Sequence, residues 1–172
     1  MKSILGIILF CFSILISQTS LVVGMKAPEW QLPDADGSLF TMDSWEGIVL
    51  QINYVDPDES EMNEEFNDRV KKAIDIDSLI VRDSYKGIGI ADCASSWKPD
   101  FLIRAIGGKK AKKFDTTVLF DFDAALRDRW NLQEDSYNVI ILDRERIVRG
   151  LYKGKMTEAD MKEALQSIIA LQ

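Results

Sequence analysis

The chain has 172 residues, of which 21 are lysine or arginine and 28 are aspartate or glutamate, so its formal net charge is −7. This length suits one domain with a core that needs no disulfides, and the acid excess argues against nucleic acid or an anionic membrane as a partner. The sequence contains no histidine, which excludes Ser-His-Asp and Cys-His catalytic sites and HExxH zinc sites.

The first twenty residues differ in composition from the rest. Lys2 precedes an almost entirely apolar stretch, Ile4 to Ser17, and small polar residues follow. The stretch is short for a membrane-spanning helix, which needs about 20 apolar residues, and its order is typical of a secretory signal peptide. We therefore expect a signal peptide over 1–20, one mature domain over 21–172, and a periplasmic or secreted protein. The alternative is an uncleaved N-terminal anchor, and no other membrane contact is expected.

The first part of the domain predicts a buried strand followed by an amphipathic helix. Residues 48–55 are apolar and β-branched, as in a buried strand. From 59 to 73, apolar residues recur at spacings of four, four and three, which places them on one helical face. Asp58 is the predicted N-cap of this helix, with Glu61 three residues later as in a capping box.

A second strand is predicted over 87–94, and another helix follows it. Ser95 or Ser96 is the expected N-cap, and the helix is expected to end at Gly107-Gly108. The basic run after these glycines comprises Lys109, Lys110, Lys112 and Lys113. Such a run is either a solvated helix end or a docking patch for an acidic partner.

The last part of the chain predicts two strands, a hairpin partner and a final helix. The strands are 116–123 and 138–143, the hairpin partner is 147–154, and Thr157 caps the helix. Strands that alternate with helices imply a largely parallel sheet covered on both sides, which the hairpin makes mixed. The predicted fold class is therefore α/β. The four tryptophans, Trp30, Trp45, Trp97 and Trp130, are expected to lie partly in the core.

This order of elements, ending in a β-hairpin and a helix, resembles the thioredoxin fold, a three-layer α/β sandwich. The opening of the domain is similar to that of the peroxiredoxin and TlpA-type branch. The residues that match this opening in order are Gly24, Ala27, Pro28, Leu32, Pro33, Asp36, Gly37 and Gly47. Asp143, Ile147 and Gly154 match the hairpin of the branch, whereas Glu145 stands near the expected turn glycine.

The middle and C-terminal parts of the chain add a second, narrower resemblance. The stretch from Val118 to Leu165 is most similar to the YtfJ family. This resemblance implies a small periplasmic protein with a thioredoxin-like fold and no established activity. Together with the opening, it covers most of the chain after residue 22.

Two features of the active superfamily members are missing. Those members carry a Cys-x-x-Cys motif between the central strand and the next helix, whose N-terminus lowers the pKa of a thiol. Residues 57–61 occupy this position here and contain no cysteine. Ser136-Tyr137 stands where those members have a cis-proline, and a non-proline cis peptide would cost about 2.5–4 kcal/mol, so we expect it to be trans. The resemblance thus implies the scaffold without its thiol chemistry.

The acidic turn after the first buried strand has three interpretations. It stabilises a helix start, at about 0.3–1 kcal/mol per charge, or it binds a cation, or it binds a protein or peptide partner. A calcium loop needs glycine at its sixth position and glutamate at its twelfth, where this chain has Glu61 and Asn67, so we expect no metal and no cofactor. The candidate partner-binding residues are Asp56, Asp58, Glu59, Glu61 and Tyr137.

Cys93 is the one cysteine of the predicted mature domain, because Cys11 lies in the expected signal peptide. It cannot form an internal disulfide there, and it is either buried and inert or a reactive thiol. Lys98 is the nearest basic residue after it in the sequence, and nothing obvious lowers its pKa. The leading hypothesis is a non-catalytic exported protein that binds a partner, and the alternative is a thiol oxidoreductase or peroxidase that uses Cys93. The sequence leaves the partner and the oligomeric state open.

Overall fold

The computed structural model describes residues 20–172, so the predicted signal peptide lies outside the described residues apart from Ser20. The described chain opens with a small antiparallel sheet of two strands, β1 (Gln31–Pro33) and β2 (Leu39–Thr41). The Asp34 side chain shapes the turn between them, because it accepts hydrogen bonds from the backbone N–H groups of Asp36 and Ser38, both at 2.9 Å.

A five-stranded sheet forms the centre of the protein. Its strands are β3 (Val49–Val55), β4 (Tyr85–Asp92), β5 (Thr117–Asp121), β6 (Tyr137–Leu142) and β7 (Val148–Lys153). The spatial order is β5-β4-β3-β6-β7, in which β3, β4 and β5 are parallel and β6 is antiparallel to both of its neighbours. The predicted mixed sheet with a C-terminal hairpin is confirmed, and with it the α/β fold class.

Helices and the N-terminal segment cover both faces of this sheet. The helices are α1 (Glu64–Asp75), α2 (Asp100–Phe114), α3 (Ala125–Trp130) and α4 (Glu158–Ala170). On one face, Phe66 of α1 and Ile168 of α4 are buried with Ile141 of β6. On the other face, Trp130 of α3 and Trp30 of the N-terminal segment pack in the same cluster as the central strand. The result is a three-layer sandwich that leaves the carboxyl ends of β3, β4 and β5 at one edge.

Helix α1 begins later than the sequence predicts. Pro57–Glu59 form a short 3-10 turn and α1 starts at Glu64, so the prediction that Asp58 caps this helix with Glu61 at its third position is wrong. The carboxylate that caps is Asp56, which accepts a hydrogen bond from the Asp58 backbone N–H at 2.8 Å. The cap therefore serves the short turn and not the long helix.

Contacts with the end of the hairpin explain where α1 starts. Asn63 occupies the N-cap position, but its side chain makes no capping bond to the helix. It donates to the Gly154 carbonyl at 3.0 Å and accepts from the Met156 N–H at 2.9 Å. These bonds link residues that are far apart in the sequence, so the local pattern did not reveal them.

Helix α2 continues through the two glycines that the sequence predicts to end it. It runs to Phe114, and Pro99 occupies its N-cap position in place of Ser95 or Ser96. A Cβ atom at Gly107 would lie 2.7 Å from the ring of Phe120, closer than van der Waals contact permits. Gly107 therefore allows the helix to pack closely on β5.

The turn between β6 and β7 has its left-handed residue at Arg146, with φ 66°, and not at Glu145. This conformation is uncommon for a residue with a side chain, and the buried guanidinium compensates for it. It donates hydrogen bonds to the backbone carbonyls of Met42, Trp45, Ile48 and Asp143. The final helix is as predicted, with Thr157 and Asp160 forming its capping box.

Candidate functional site

Acidic side chains gather at the edge of the sheet where the parallel strands end. Asp56 follows β3, Asp92 ends β4 and Asp121 ends β5, and all three are buried. In open α/β folds this edge is where ligands commonly bind. The predicted acidic turn, 57–61, continues from Asp56 at the same edge.

Asp56 itself is part of the fold. Its backbone N–H donates to the Ser136 carbonyl at 2.9 Å, which joins the turn to the start of β6. Burial, and next the negative charges of Asp135 and Asp92, raise the pKa of its carboxyl to about 6. A side chain that is 6% exposed and already bound to the turn offers little to a partner.

The rest of the turn reaches the surface. Asp58 and Glu61 are exposed and Glu59 is half-buried. Asp58 forms an ion pair with Lys98, whose Nζ also lies 5.3 Å from the centroid of the Trp97 ring. The structure thus brings an indole, a lysine and the acidic turn together, although they are far apart in the sequence.

Trp97 is the tryptophan that the sequence analysis misplaced. Trp30 and Trp130 are buried as expected, but the Trp97 side chain is 82% exposed. Its neighbours carried a usable signal, because the polar pair before it and Lys98-Pro99 after it are typical of a loop. A bulky aromatic side chain this exposed is a candidate for recognition.

Tyr137 does not belong to the exposed surface. Its side chain is 3% exposed and packs in the core beneath α1 and α4, and its hydroxyl accepts a hydrogen bond from Asn67 Nδ2 at 2.9 Å. The peptide between Ser136 and Tyr137 is trans. Tyr137 therefore holds the start of β6 against α1, and its ring is not offered to a partner.

A buried network that the sequence analysis did not identify joins the strand ends to α3. Arg127 Nη1 donates to Asp92 Oδ2 at 2.9 Å. Asp121 accepts from the Leu126 backbone N–H and from the Tyr54 hydroxyl, both at 2.9 Å. Asp92 Oδ1 has no hydrogen-bond partner among residues 20–172. Asp92 and Asp121 are neighbours in the register of β4 and β5. The sequence places an aspartate at the end of each strand, but the pairing follows only when the strand order is known.

Cys93 lies directly after β4 and is buried, with 4% exposure. It packs with Ile103 and Phe120, and its Sγ donates weakly to the Ala91 carbonyl at 3.6 Å. Burial, and next the charge of Asp100, raise the pKa of its thiol to about 12. The thiolate, which is the reactive form, is therefore scarce at neutral pH, and the geometry favours the buried interpretation.

The described part of the chain places no three His, Cys, Asp or Glu side chains in an arrangement that would hold a metal ion. Within the same range, none of the helices is long and apolar enough to cross a membrane. What the edge offers is a set of exposed carboxylates, an ion pair and an indole, with the thiol held inside the core.

Solved structures show the same fold at low identity. A hypothetical protein from Sinorhizobium meliloti has a TM-score of 0.62 at 20% identity, covering 88% of this chain and 86% of its own. The thioredoxin domain of a thiol-disulfide oxidoreductase from Bacteroides vulgatus has a TM-score of 0.61 at 13% identity, and the match covers 87% of this chain and 99% of that domain. The exposed lipoprotein thioredoxin of Streptococcus pneumoniae has a TM-score of 0.57 at 15% identity, and the match covers 81% of this chain and 98% of that chain. Likeness at these identities establishes a thioredoxin-like fold and leaves activity open.

A comparison with curated proteins found no match. The profile of the family described as "Bacterial protein of unknown function (YtfJ_HI0045)" matches residues 43–171. This range begins just after β2 and includes the whole central sheet, the acidic turn and all four helices. The resemblance to the YtfJ family is confirmed, and the chain belongs to the YtfJ_HI0045 family with a thioredoxin-like fold.

Proposed function

We propose that this protein is an exported, non-catalytic thioredoxin-fold protein that binds a protein or peptide partner. The binding surface comprises Asp58, Glu59, Glu61 and Trp97, which we call the acidic-indole surface. The observation that carries the proposal is the 82% exposed Trp97 beside the acidic turn, at the place where active members of the fold carry their thiols.

The state of the thiol argues against the alternative, an oxidoreductase or peroxidase that uses Cys93. Thiol–disulfide exchange requires thiolate attack through a mixed disulfide, and burial raises the pKa of Cys93 to about 12. Resolution of the mixed disulfide would need a second thiol, and the turn at 57–61 contains none.

The chemistry of the surface indicates a partner segment that carries lysine or arginine. Lys98 already pairs with Asp58 and lies over the Trp97 ring. One cation of this chain thus makes both an ion pair and a cation–π contact at this surface. Such contacts are worth about 0.5–1 kcal/mol at exposed sites, which favours a partner that makes several of them at once. Export rests on the residue pattern of 1–20.

Photo-crosslinking in the native organism tests this proposal. A benzoylphenylalanine at position 97 should give a discrete protein adduct, and the same group at Leu39, an exposed position on β2, should not. Adding Asp58→Lys and Glu61→Lys to the position-97 protein should abolish the adduct. Equal adducts from positions 97 and 39, or none from position 97, would refute the proposal.

A further inference from the structure

The segment that contains α2 differs in charge from the rest of the protein. Residues 97–114 include six basic residues and one acid, a net charge of +5 in a chain of net charge −7, so the remainder carries −12. On the same segment, Phe101 is 73% exposed and Leu102 and Ile106 are about 40% exposed. A basic segment with exposed bulky side chains on an acidic protein indicates an interaction surface.

A groove lies between this face and the turn after β1. It is shallow and open to solvent, with a volume of about 380 Å³. Phe101, Ala105 and Gly108 line it from α2, and Ala35 lines it from the turn. An ideal Cβ at Gly108 would lie 3.3 Å from Ala35 Cβ, so the missing side chain allows the two walls to approach closely.

Three cations line the same groove, namely Arg104, Lys109 and Lys112, against one acid, Asp36. Arg104 is held in place, because its guanidinium lies 4.3 Å from the ring centroid of Phe122 and its Nη1 donates to the Asp34 carbonyl at 3.5 Å. A cation that is positioned before binding loses less conformational entropy when it pairs with a ligand. The groove therefore combines apolar lining residues with three cations, of which Arg104 is held in place.

We propose that this groove binds an acidic segment of another protein, with an apolar side chain of the segment against Phe101 and Ala105 and its carboxylates paired with Arg104, Lys109 and Lys112. A lipid surface fits less well, because a bilayer of anionic lipid would also face the acids of the remaining chain. A narrow peptide segment contacts the basic groove alone.

A synthetic peptide tests the charge and the anchor together. The probe is fluorescein-labelled Glu-Glu-Phe-Glu-Glu-Leu-Glu, and fluorescence anisotropy at low salt should give a Kd below about 1 mM. Lys109→Glu with Lys112→Glu should weaken binding at least about tenfold, as should Phe101→Ser, which alters an exposed side chain. Lys155→Glu with Lys162→Glu makes the same charge change at two exposed positions, one just before α4 and one within it, and should leave the Kd within about twofold.

Three results would overturn the proposal. The first is that wild-type protein with its normal circular dichroism spectrum does not bind the peptide. The second is that a peptide in which every Glu is replaced by Lys binds with the same affinity. The third is that both groove variants bind the acidic peptide with the wild-type affinity. Sedimentation with vesicles of phosphatidylcholine and phosphatidylglycerol in equal parts separates the lipid alternative. Vesicle binding that is lost in the Lys109→Glu, Lys112→Glu protein, without peptide binding, would assign the surface to a membrane.

Discussion

At the scale of single residues, Asp56 determines how the acidic turn is built, although the local pattern favoured Asp58. Each of these two aspartates precedes an acidic stretch and then a periodic run of apolar residues, so the local sequence does not show which of them is the cap. Asp56 is distinguished by its bond to Ser136 and its proximity to Asp135. Both partners lie immediately before β6, which local periodicity does not place beside the turn.

The raised pKa of Asp56 predicts a pH dependence of stability. Its pKa is about 6 in the fold against 3.8 ordinarily, so folding takes up a proton between about pH 4 and 6 and the free energy of unfolding falls as pH rises through this window. Asp56→Asn keeps an acceptor oxygen without the charge. Urea denaturation should show a smaller pH slope and about 1 kcal/mol more stability than wild type near pH 7.

Asp58→Asn is the matched control for this experiment. Asp58 is exposed and is paired with Lys98 at the surface, so its substitution should change the free energy of unfolding by less than about 1 kcal/mol. The interpretation of Asp56 fails if Asp56→Asn and wild type have the same pH slope.

Arg146 makes a second prediction at this scale. Glycine would relax the left-handed φ of 66°, but it would remove the guanidinium from four backbone carbonyls. Because buried carbonyls without partners are costly, Arg146→Gly should destabilise the protein by about 2–4 kcal/mol in urea denaturation. Arg144→Gly, at an exposed position of the same turn, should cost less than about 1 kcal/mol. Equal stability of Arg146→Gly and wild type would show that the turn geometry dominates.

At the scale of elements, the strands were predicted well and the helix limits less well. Residues 48–55 and 138–143 closely match β3 and β6 because a buried strand is a continuous apolar run between polar ends. The start of α1 and the continuation of α2 through Gly107 depend on tertiary contacts, with Gly154 and Phe120 respectively. The sequence alone does not distinguish a glycine that ends a helix from a glycine that allows close packing within one.

Gly107→Ala tests this account of α2. Alanine is about 1 kcal/mol more favourable than glycine in a helix, yet a Cβ at 107 would lie 2.7 Å from the Phe120 ring. We expect a net loss of about 1–3 kcal/mol in the free energy of unfolding. Gly108→Ala places its Cβ at 3.3 Å from Ala35 Cβ and should cost less. A stabilised Gly107→Ala protein would contradict the packing role.

At the scale of the whole molecule, the sequence predicted the thioredoxin-like sandwich, because element order, opening motif and hairpin all agreed. It predicted less of the surface. Trp97 and Lys98 meet the acidic turn only through the spatial order of β3 and β4, and the α2 groove depends on the turn after β1. Apolar periodicity indicates the strands and helices of the fold, whereas these surfaces arise from loops that the fold brings together.

Export is the prediction that concerns the full chain. If 1–20 is a signal peptide, mass spectrometry of protein from the native organism should show a new N-terminus between about residues 17 and 22. A chain that begins at Met1 and fractionates with the cytosol would contradict export.

The central proposal is that this thioredoxin-like protein does not carry out thiol chemistry, and the reactivity of Cys93 tests it most directly. The rate of reaction with a disulfide probe at neutral pH should be far below that of a free thiol of pKa about 8.5 in the native protein, and should become ordinary in denaturant. This follows from its 4% exposure and raised pKa. Native labelling faster than a free thiol, together with peroxide consumption that Cys93→Ser abolishes, would contradict the account.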